Sequence, residues 1–164
     1  MIAKDEQTHA RLAKQFFDHT IQRRYVALVW GNFDEDEGTI TGNIGRSPKD
    51  RQKMFVFADG SDGKHAVTHW KVLKRYGYVT LVECRLETGR THQIRASFAD
   101  LGCPLLGDGK YGRGDVNRRY GETRQALYAY ELTFDLPTDA GILNYLRGRT
   151  FTVENVPFRA KYFG

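Results

Sequence analysis

Residues 86–95, Leu-Glu-Thr-Gly-Arg-Thr-His-Gln-Ile-Arg, mark the point where a strand-like run gives way to a helical pattern. Residues 78–86 are rich in β-forming side chains. After the glycine, apolar residues fall on one helical face: Ile94, Phe98 and Leu101. Thr91 is a candidate cap for the start of this helix and Gly102 for its end. The order strand, glycine turn, helix is therefore predicted at the centre of the chain.

Elsewhere, predicted strands outnumber helices. Residues 8–19 have the apolar spacing of an amphipathic helix, with Thr8 as its candidate cap. A β-rich composition predicts strands over residues 23–30, 67–73, 78–86, 126–134 and 150–154. Residues 74–77 join the second and third as an antiparallel hairpin, whereas residues 31–63 are predicted to be loop-rich, with a short strand at 39–41. The sequence therefore predicts an α+β domain with a mixed, largely antiparallel sheet flanked by helices.

The composition is that of an ordinary globular chain. At 164 residues it is predicted to form one domain, residues 1–164, that needs no disulfide or metal to fold. No apolar run approaches the roughly 18 residues of a membrane span, and the first residues lack a signal-peptide pattern. We therefore expect a cytoplasmic protein with no membrane partner. Cys84 and Cys103 lack CxxC spacing and are expected to be reduced and buried or nearly so.

Basic residues exceed acidic ones, with a formal net charge of +5 and an isoelectric point near 9.2. Lys and Arg gain affinity for phosphates by releasing counterions, so a polyanionic partner, first of all nucleic acid, is expected. Acidic residues cluster at 34–37. Arg and Lys recur around the glycine-rich centre and beyond it, at Arg113, Arg118, Arg119 and Arg124. This segregation predicts a basic face.

Four polar side chains are concentrated where the predicted strand passes into the helix: Arg90, His92, Gln93 and Arg95. The free N–H groups of a helix start favour anions, and Arg adds bidentate recognition of phosphate or carboxylate. Arg95 lies between the apolar positions Ile94 and Phe98, so it is expected to be partly buried and to need an acidic partner. The alternative for each of these residues is a structural role, such as tying the helix to the sheet.

Longer motifs connect this centre to a known family. Residues 87–95, followed by Leu-Gly-Cys-Pro-Leu-Leu-Gly-Asp-Gly-Lys-Tyr-Gly at 101–112, closely resemble the signature of the RluA family of RNA pseudouridine synthases. Residues 23–31 resemble the family's Lys/Arg-Tyr-x-Ala-x-Val-x-Gly strand, and residues 124–129 extend the likeness, which covers positions 4–134. The resemblance implies the fold of a pseudouridine synthase catalytic domain. No S4-like RNA-binding domain is expected in this chain.

The sequence departs from the family pattern at three places. Ser97 stands where the family often has His, and Tyr128 stands at the His of a frequent Leu-His-Ala. A His-Arg-Leu-Asp segment, whose aspartate is the family's essential residue, does not occur in these 164 residues. In the family it lies shortly before a stretch that resembles residues 2–4. We therefore expect a catalytic domain that is incomplete at its N-terminus, a truncated form that is inactive by itself.

The implied reaction converts uridine to pseudouridine in ribosomal or transfer RNA. The N1–C1′ bond breaks, the uracil rotates, and it is rejoined through C5 without metal or organic cofactor. The resemblance assigns Arg95 as the partner that keeps the catalytic aspartate ionised and aimed. Tyr25 matches the family tyrosine that stacks on the target base and assists proton removal from C5. The alternative for Tyr25 is a strand tyrosine packed in the core.

The target uridine must leave the base stack before its glycosidic bond can be reached, so basic residues are needed to hold the RNA backbone. The candidates for RNA binding are Arg90, His92, Lys110, Arg113, Arg118 and Arg119. A capping or hydrogen-bonded structural role is the alternative for His92, and a solvated charged face is the alternative for the last three. His65 and His69 have HxxxH spacing, but on a strand about 13 Å separates them. No metal site is predicted.

Two other interpretations stay open. In one, the chain is a non-catalytic RNA-binding module that keeps the fold and groove without the nucleophile. In the other, it is a fragment that does not fold alone, because an absent segment leaves sheet edges unpaired. The aspartates that are candidates to replace a missing nucleophile are Asp5, Asp18, Asp100 and Asp108. None has the expected sequence neighbours, and Asp108 is interpreted as part of a Gly-Asp turn.

Overall fold

The fold is a sheet with helices on both of its faces. A computed structural model describes residues 3–17, 21–136, 139–156, 158 and 161–162. The helical elements of this part are α1 (Glu6–Phe17), α2 (Gln93–Asp100), α3 (Gly114–Tyr120) and a 3₁₀ helix (Gly141–Leu146). The strands are β1 (Ile21–Trp30), β2 (Glu37–Arg46), β3 (Met54–Phe57), β4 (Lys64–Tyr76), β5 (Val79–Leu86), β6 (Leu127–Phe134) and β7 (Thr150–Thr152).

The seven strands of the described residues form one antiparallel sheet, in the order β3-β2-β4-β5-β1-β6-β7. β4 and β5 form a hairpin closed by the pair Tyr76↔Val79, and β1 lies between β5 and β6. The predicted α+β fold with a largely antiparallel sheet is confirmed. The predicted hairpin and the strands at 23–30 and 126–134 are confirmed as well, with small shifts of their bounds.

The two faces of the sheet carry different cores, because successive residues of a strand point to opposite sides. Val26 of β1 belongs to a buried cluster with Val116 of α3. Ala27, the next residue, belongs to another buried cluster with Ile94 and Phe98 of α2. α2 and α3 therefore cover opposite sides of the sheet, which we call the α2 face and the α3 face.

A third apolar cluster joins α1 and the 3₁₀ helix to the end of the sheet. Leu12 of α1 and Leu143 of the 3₁₀ helix are buried there with Ile21 and Phe134, which pair across β1 and β6. Ile21 and Ala27 are an even number of positions apart on β1, so this cluster lies on the α2 face. Phe134 is fully buried, which stabilises the fold by about 1.5 to 3 kcal/mol.

Residues 31–63 hold more strand than the predicted segment at 39–41, although more than half of the stretch lies outside strands, as predicted. β2 occupies ten residues of the stretch and β3 four more, and β2 pairs with both β3 and β4. The glycines of β2 suggest turns, but a Cβ atom at Gly38 would lie 2.6 Å from the Trp70 ring. Glycine is present because the packing is close, and the pairing with β4 overrides the weak strand propensity of this sequence.

α1 starts two residues before the predicted helix. Asp5 caps it, because the Asp5 carboxylate accepts the backbone N–H of Thr8 at 2.7 Å. The prediction of Thr8 as the cap is therefore wrong. The helix continues to Phe17, and the last two residues of the predicted range 8–19 lie outside the described residues.

α2 starts two residues after the predicted position. The residue before it is His92, which makes no side-chain capping bond, so the prediction of Thr91 as the cap is wrong. The predicted stop at Gly102 is confirmed, since Gly102 has φ 79° and donates its N–H to the Ala99 carbonyl at 3.0 Å. α3 has no counterpart among the predicted elements.

Both cysteines are reduced, as the sequence predicts. Cys84 is buried on the α2 face and Cys103 is partly buried, and no disulfide joins them. Burial raises the pKa of both thiols. A thiol that stays protonated is a poor nucleophile, so the two side chains act as apolar packing groups.

Candidate active site

Gln93 holds the turn between β5 and α2 against β4. Its Oε1 accepts hydrogen bonds from the Thr88 hydroxyl at 2.8 Å and the Arg90 N–H at 3.0 Å. Its Nε2 donates to the Val67 carbonyl at 3.0 Å and the Thr68 hydroxyl at 2.9 Å. Gln93 is only 2% exposed, and these four bonds satisfy its amide within the protein. The central motif therefore folds into a turn with a fixed backbone.

Arg95 forms a bidentate ion pair with Asp108. Nε donates to Oδ2 at 2.7 Å, and Nη2 donates to Oδ1 at 2.9 Å. Oδ1 also accepts the backbone N–H groups of Lys110 and Tyr111, and the Asp108 side chain is fully buried. The prediction that Arg95 is partly buried and needs an acidic partner is confirmed. That partner is Asp108, a residue of this chain.

The ion pair is charged at neutral pH. Burial alone raises the pKa of Asp108, but the hydrogen bonds from Arg95 and the two backbone N–H groups outweigh it, so the pKa lies below its ordinary value of 3.8. The hydrogen bond to Asp108 raises the pKa of Arg95. The Asp108 carboxylate is fully buried and enclosed by these donors, so it offers no open edge to a substrate.

His92 lies beside this ion pair in the left-handed backbone conformation, with φ 52°. Its Nδ1 lies 2.9 Å from the Tyr111 hydroxyl, which accepts the Met54 N–H at 2.8 Å. Burial and the charges of Arg95 and Lys110 lower the pKa of His92. His92 therefore ties the start of α2 to β3. We call this group the loop cluster: His92, Gln93, Arg95, Asp108 and Tyr111.

Two of the other predicted RNA-binding residues lie around the loop cluster. Arg90 follows the β5 end of the turn, and its Nε donates to the His65 carbonyl at 2.8 Å. Lys110 follows Asp108, and its Nζ donates to the Gln52 carbonyl at 3.0 Å. Each of these cations is partly exposed and keeps further N–H groups that can meet a phosphate.

The remaining three predicted RNA-binding residues belong to α3 or its start. Arg118 and Arg119 are exposed in the helix, and Arg113 precedes it and pairs with Asp115 at 3.1 Å. α3 packs on the opposite side of the sheet from α2. The predicted basic residues are therefore divided between the two sides of the sheet.

A cleft of about 890 Å³ opens on the α2 face, where α1 and the 3₁₀ helix meet β1, β6 and β7. Arg23 and Tyr25 of β1 line it, together with Asp5 from the start of α1. Tyr145 and Phe151 contribute apolar surface from the 3₁₀ helix and β7. A cavity of this size, with an apolar lining and a few convergent polar groups, is typical of a ligand site.

Tyr25 both packs on the core and faces the cleft. It pairs with Cys84 of β5, and its ring packs against the buried cluster that contains Ile94. It is only partly buried, and it lines the cleft. One side of the Tyr25 ring therefore packs against the core, as the structural alternative predicts. The other side is available to a ligand.

Arg24, the neighbour of Tyr25, points to the α3 face and anchors the strand there. Its Nη1 lies 3.4 Å from Glu83, and its Nε lies 3.4 Å from Glu131. Tyr130, the extra residue of a β-bulge at this point of β6, donates its hydroxyl to Glu83. Burial and Glu83 raise the pKa of Tyr130 to about 12. These contacts fix the bulge and so the direction of Tyr25.

The candidate aspartates have different surroundings. Asp5 lines the same cleft as Tyr25, and the bond from the Thr8 N–H lowers the pKa of the Asp5 carboxyl. Asp100 is exposed at the end of α2, and Asp18 lies outside the described residues. Of the three described candidates, Asp5 is the one that shares a cleft with Tyr25, a proximity that the sequence did not indicate.

Some residues of the site were missed in the sequence. Arg23 lies two positions before Tyr25 on β1, so strand alternation alone indicates that both face the same side. Tyr111 falls inside the quoted motif at 101–112, but its contact with His92 joins residues 19 positions apart. Arg46 of β2 lies close enough to lower the pKa of His92, and no local pattern points to it.

Comparison with known proteins shows which family this chain resembles. The family model described as RNA pseudouridylate synthase matches residues 1–100. The chain is 48% identical over 137 residues to the uncharacterized RNA pseudouridine synthase YlyB of Bacillus subtilis. It is 43% identical over 142 residues to ribosomal large subunit pseudouridine synthase D of Zymomonas mobilis. These matches cover 84% of this chain but 43% and 44% of the two relatives, so the chain spans less than half of their length.

Solved structures have the same fold. The human RNA pseudouridylate synthase domain containing 1 matches with a TM-score of 0.72 and 25% identity, over 97% of this chain and 72% of that one. Domain containing 4, also human, matches with a TM-score of 0.70 and 20% identity, over 95% and 66% of the two chains. The family match includes Tyr25 at the cleft and Gln93 and Arg95 of the loop cluster. The chain thus belongs to the RNA pseudouridylate synthase family, as the resemblance of its motifs predicts.

Proposed function

We propose that this chain is part of an enzyme that isomerises uridine to pseudouridine in RNA, and that residues 1–164 are part of its catalytic domain. One observation carries the proposal. The family match spans both Tyr25, on the wall of the cleft, and Arg95, in the loop cluster. The resemblance assigns roles in the reaction to these two residues.

Arg95 supports the proposal because it has donors left over. A guanidinium has five N–H groups, and the ion pair with Asp108 uses two of them. The Arg95 side chain is 14% exposed, so one edge of it is open to a further ligand. The aspartate of the His-Arg-Leu-Asp segment that the resemblance implies is proposed to bind there and to be kept ionised by the positive charge.

Tyr25 supports the proposal through its two-sided position. A ring that rests on the core offers a rigid surface for a flipped uracil to stack on. Its hydroxyl is proposed to assist removal of the C5 proton after the uracil has rotated. The aspartate acts at the sugar, by attack on C1′ or by removal of a C2′ proton. No metal or organic cofactor takes part in these proposed steps.

RNA is the proposed partner. Arg90, His92 and Lys110 surround the start of α2 and are proposed to hold the backbone of the substrate. The name of the Zymomonas relative specifies the large ribosomal subunit, so ribosomal RNA is the first substrate to test and transfer RNA the second. In the described ranges no helix is long and apolar enough to cross a membrane. The cytoplasmic location stays a prediction.

A non-catalytic RNA-binding module is the second candidate function, and one observation favours it. The carboxylate that pairs with Arg95 in this chain is Asp108, which is fully buried and enclosed by donors. A chain in which no second carboxylate binds Arg95 would keep the fold and the basic residues without the nucleophile. It would bind RNA and leave uridine unchanged.

Tritium release from C5-labelled uridine in ribosomal RNA separates the two candidates. We expect no release from the 164-residue chain and release from a version extended upstream through a His-Arg-Leu-Asp segment. In the extended version, Arg95→Lys should reduce release strongly, because Lys cannot hold two carboxylates through a planar fork. The matched control is Arg75→Lys, whose arginine pairs with the exposed Asp36.

Each outcome has a distinct meaning. Release from the 164-residue chain would overturn the view that the nucleophile lies outside it, and loss of that release in Asp5→Asn would identify Asp5, which lines the cleft. RNA binding without release from either version would favour the non-catalytic module. Release that survives Arg95→Lys undiminished would refute the role proposed for Arg95.

A further inference from the structure

Five aromatic rings form a continuous series on the α3 face, at the end of the β4–β5 hairpin. The ring centroid of Trp30 lies 4.9 Å from that of Tyr78 and 5.7 Å from that of Tyr120. The centroid of Tyr162 lies 6.1 Å from that of Tyr120 and 6.3 Å from that of Tyr76. We call this set the aromatic platform: Trp30, Tyr76, Tyr78, Tyr120 and Tyr162.

Tyr76 and Tyr78 present the platform to solvent. Tyr76 is 56% exposed and Tyr78 is 53% exposed. Tyr76 pairs with Val79, so Gly77 and Tyr78 form a two-residue hairpin turn, and Gly77 supplies the positive φ of 56°. A turn this short holds its backbone in place. The two exposed rings are therefore displayed from a rigid edge of the sheet.

The inner rings form a fixed floor under the outer ones. Tyr162 is 8% exposed, and its hydroxyl donates to the Glu122 carboxylate at 2.6 Å. Lys161 binds the same carboxylate and donates from Nζ to the Tyr120 carbonyl at 3.1 Å. Tyr120 and Trp30 pack against the buried cluster of the α3 face. The inner rings therefore lose little conformational entropy when a ligand binds to the platform.

Two lysines lie next to these rings. Lys74 pairs with Leu81 of the α3-face cluster and lies two positions before Tyr76, so it points to the same side of the sheet. Lys161 Nζ lies 5.3 Å from the centroid of the Tyr162 ring. The platform therefore combines ring surfaces with ammonium groups.

Two arginines extend the positive charge along α3. Arg118 and Arg119 are exposed and immediately precede Tyr120. The acidic residue that contacts the platform rings is Glu122, and it is already bound by Lys161 and Tyr162. Lys161 and Glu122 offset each other, and the exposed Arg118 and Arg119 add positive charge, so the platform favours an anionic ligand.

The aromatic platform is separate from the cleft of Tyr25. Tyr25 belongs with the α2-face cluster, and Trp30 and Tyr120 belong with the α3-face cluster. The sheet lies between the two sites. A ligand on the platform therefore does not occupy the cleft, and a long RNA that reached both would pass around an edge of the sheet.

We propose that the aromatic platform binds unpaired nucleotides of RNA. Bases stack on Tyr76 and Tyr78, since every base offers a π-face to an aromatic ring. The phosphates between them lie against Lys74, Lys161 and the α3 arginines. A protein partner is less favoured by these groups, because its apolar anchors would meet exposed arginines and lysines beside the rings, whereas the Glu122 carboxylate is already bound by Lys161 and Tyr162. Single-stranded RNA matches both the rings and the charge.

Fluorescence anisotropy with the 164-residue chain tests the proposal. The probes are a labelled single strand of about twelve uridines, within the known range of single-strand site sizes, and an RNA duplex of the same length. We expect Tyr78→Ala and Tyr76→Ala each to weaken binding of the single strand by at least about fivefold, the low end for loss of one stacked base. Binding of the duplex, whose bases are already stacked, should change little.

Three further variants keep the test specific. Tyr78→Phe retains the ring and should bind the single strand as the unaltered chain does, whereas Tyr78→Leu retains only apolar volume and should not. Phe55→Ala removes an exposed aromatic ring of β3, outside the platform, and should have no effect. Full binding by Tyr78→Ala and Tyr76→Ala, or an equal loss for the single strand and the duplex, would overturn the proposal. Full binding by Tyr78→Leu would point to an apolar protein or ligand contact instead.

The platform and the isomerase activity can fail independently. Oligouridine binding is measured without turnover, so loss of binding in Tyr78→Ala supports the platform even when no version of the chain releases tritium. Conversely, a chain that isomerises uridine but binds the single strand equally well with and without the two rings has the proposed function and no platform.

Discussion

The loop cluster and the cleft lie on the same face of the sheet but use polar side chains in opposite ways. In the loop cluster, Gln93 makes four hydrogen bonds and the Asp108 carboxylate is enclosed by donors. At the cleft, Asp5 is exposed and Tyr25 is only partly buried. Most of the conspicuous motif therefore builds a rigid turn. The groups that can meet a substrate come from β1 and from the start of α1.

The difference also explains why Arg95 stands out. It belongs to the loop cluster through its bond to Asp108, yet three of its five N–H groups remain for another acceptor. A residue fixed on one edge and open on the other is suited to aim a carboxylate. Residues that position the site are thus distinct from residues that contact the substrate, and five predictions test this distinction.

The largest effect is expected for Asp108→Asn. Removing one charge of a buried ion pair leaves Arg95 uncompensated, so the free energy of unfolding should fall by about 3 to 5 kcal/mol. The control is Asp36→Asn, which removes a carboxylate paired with Arg75 at the surface and should leave stability nearly unchanged. Urea unfolding at neutral pH measures both. Equal stability of the two variants would show that the loop cluster is not the rigid part of this face.

The same variant predicts a pH dependence. The pKa of Asp108 in the folded chain lies below its ordinary value of 3.8, so the ion pair stabilises the fold fully above that value. The contribution is lost as pH falls through the folded-state pKa. The stability difference between the unaltered chain and Asp108→Asn should therefore be constant near neutrality and shrink below about pH 4. A stability difference that stays constant into strong acid would contradict a stabilising role for the ionised Asp108 carboxylate.

The next largest effect is expected for Tyr25→Phe, which should change the rate of tritium release and not the stability. In the version that releases tritium, Tyr25→Phe should lower the rate about 100-fold or more, the usual contribution of a group that transfers a proton. Its melting temperature should barely change, because the ring still packs on the α2-face cluster. Tyr128→Phe, one strand away on the α3 face, is the control and should leave the rate unaltered. An unchanged rate in Tyr25→Phe would mean that Tyr25 stacks on the base but does not assist removal of the C5 proton.

A smaller loss of stability is expected for Gln93→Ala. The variant leaves buried partners on β4 and in the turn without their hydrogen bonds, which should cost about 1 to 3 kcal/mol. Gln125→Ala changes an exposed glutamine and serves as the control. Thermal unfolding measures the stability, and hydrogen exchange at the Arg90 amide, which bonds to Gln93, reports the turn directly. Unchanged protection there would mean that Gln93 does not hold the turn.

The smallest effect is expected for Arg113→Ala. Arg113 and Asp115 are both more than half exposed, so loss of their pair should not shift the unfolding midpoint. If Arg113 contacts a phosphate, the slope of log affinity against log salt for RNA should decrease by about one. Lys49→Ala, an exposed cation of the β2–β3 loop, is the comparison. An unaltered slope would leave Arg113 as part of a solvated charged face.

Strands rich in β-branched and aromatic residues could be predicted because their local signal is strong. β1, β6 and the hairpin of β4 and β5 emerge from composition and one turn. Only residues 39–41 of β2 could be predicted, because its glycines fit turns locally, and the reason for Gly38, the close approach of Trp70, is a contact between strands. Thr91 and Thr8 were wrong as caps for a similar reason: local preference cannot tell which of several polar residues precedes the first helical turn.

The family, the β4–β5 hairpin and the need of Arg95 for a carboxylate follow from the sequence alone, since they depend on motif spacing, local propensity and the cost of burying a charge. Only the tertiary structure decided that Asp108 meets this need, that Asp5 shares a cleft with Tyr25, and that five separated aromatic residues form one platform. Such contacts join residues far apart in the chain. They depend on strand order and on which face each residue occupies, and neither is a local property of the sequence.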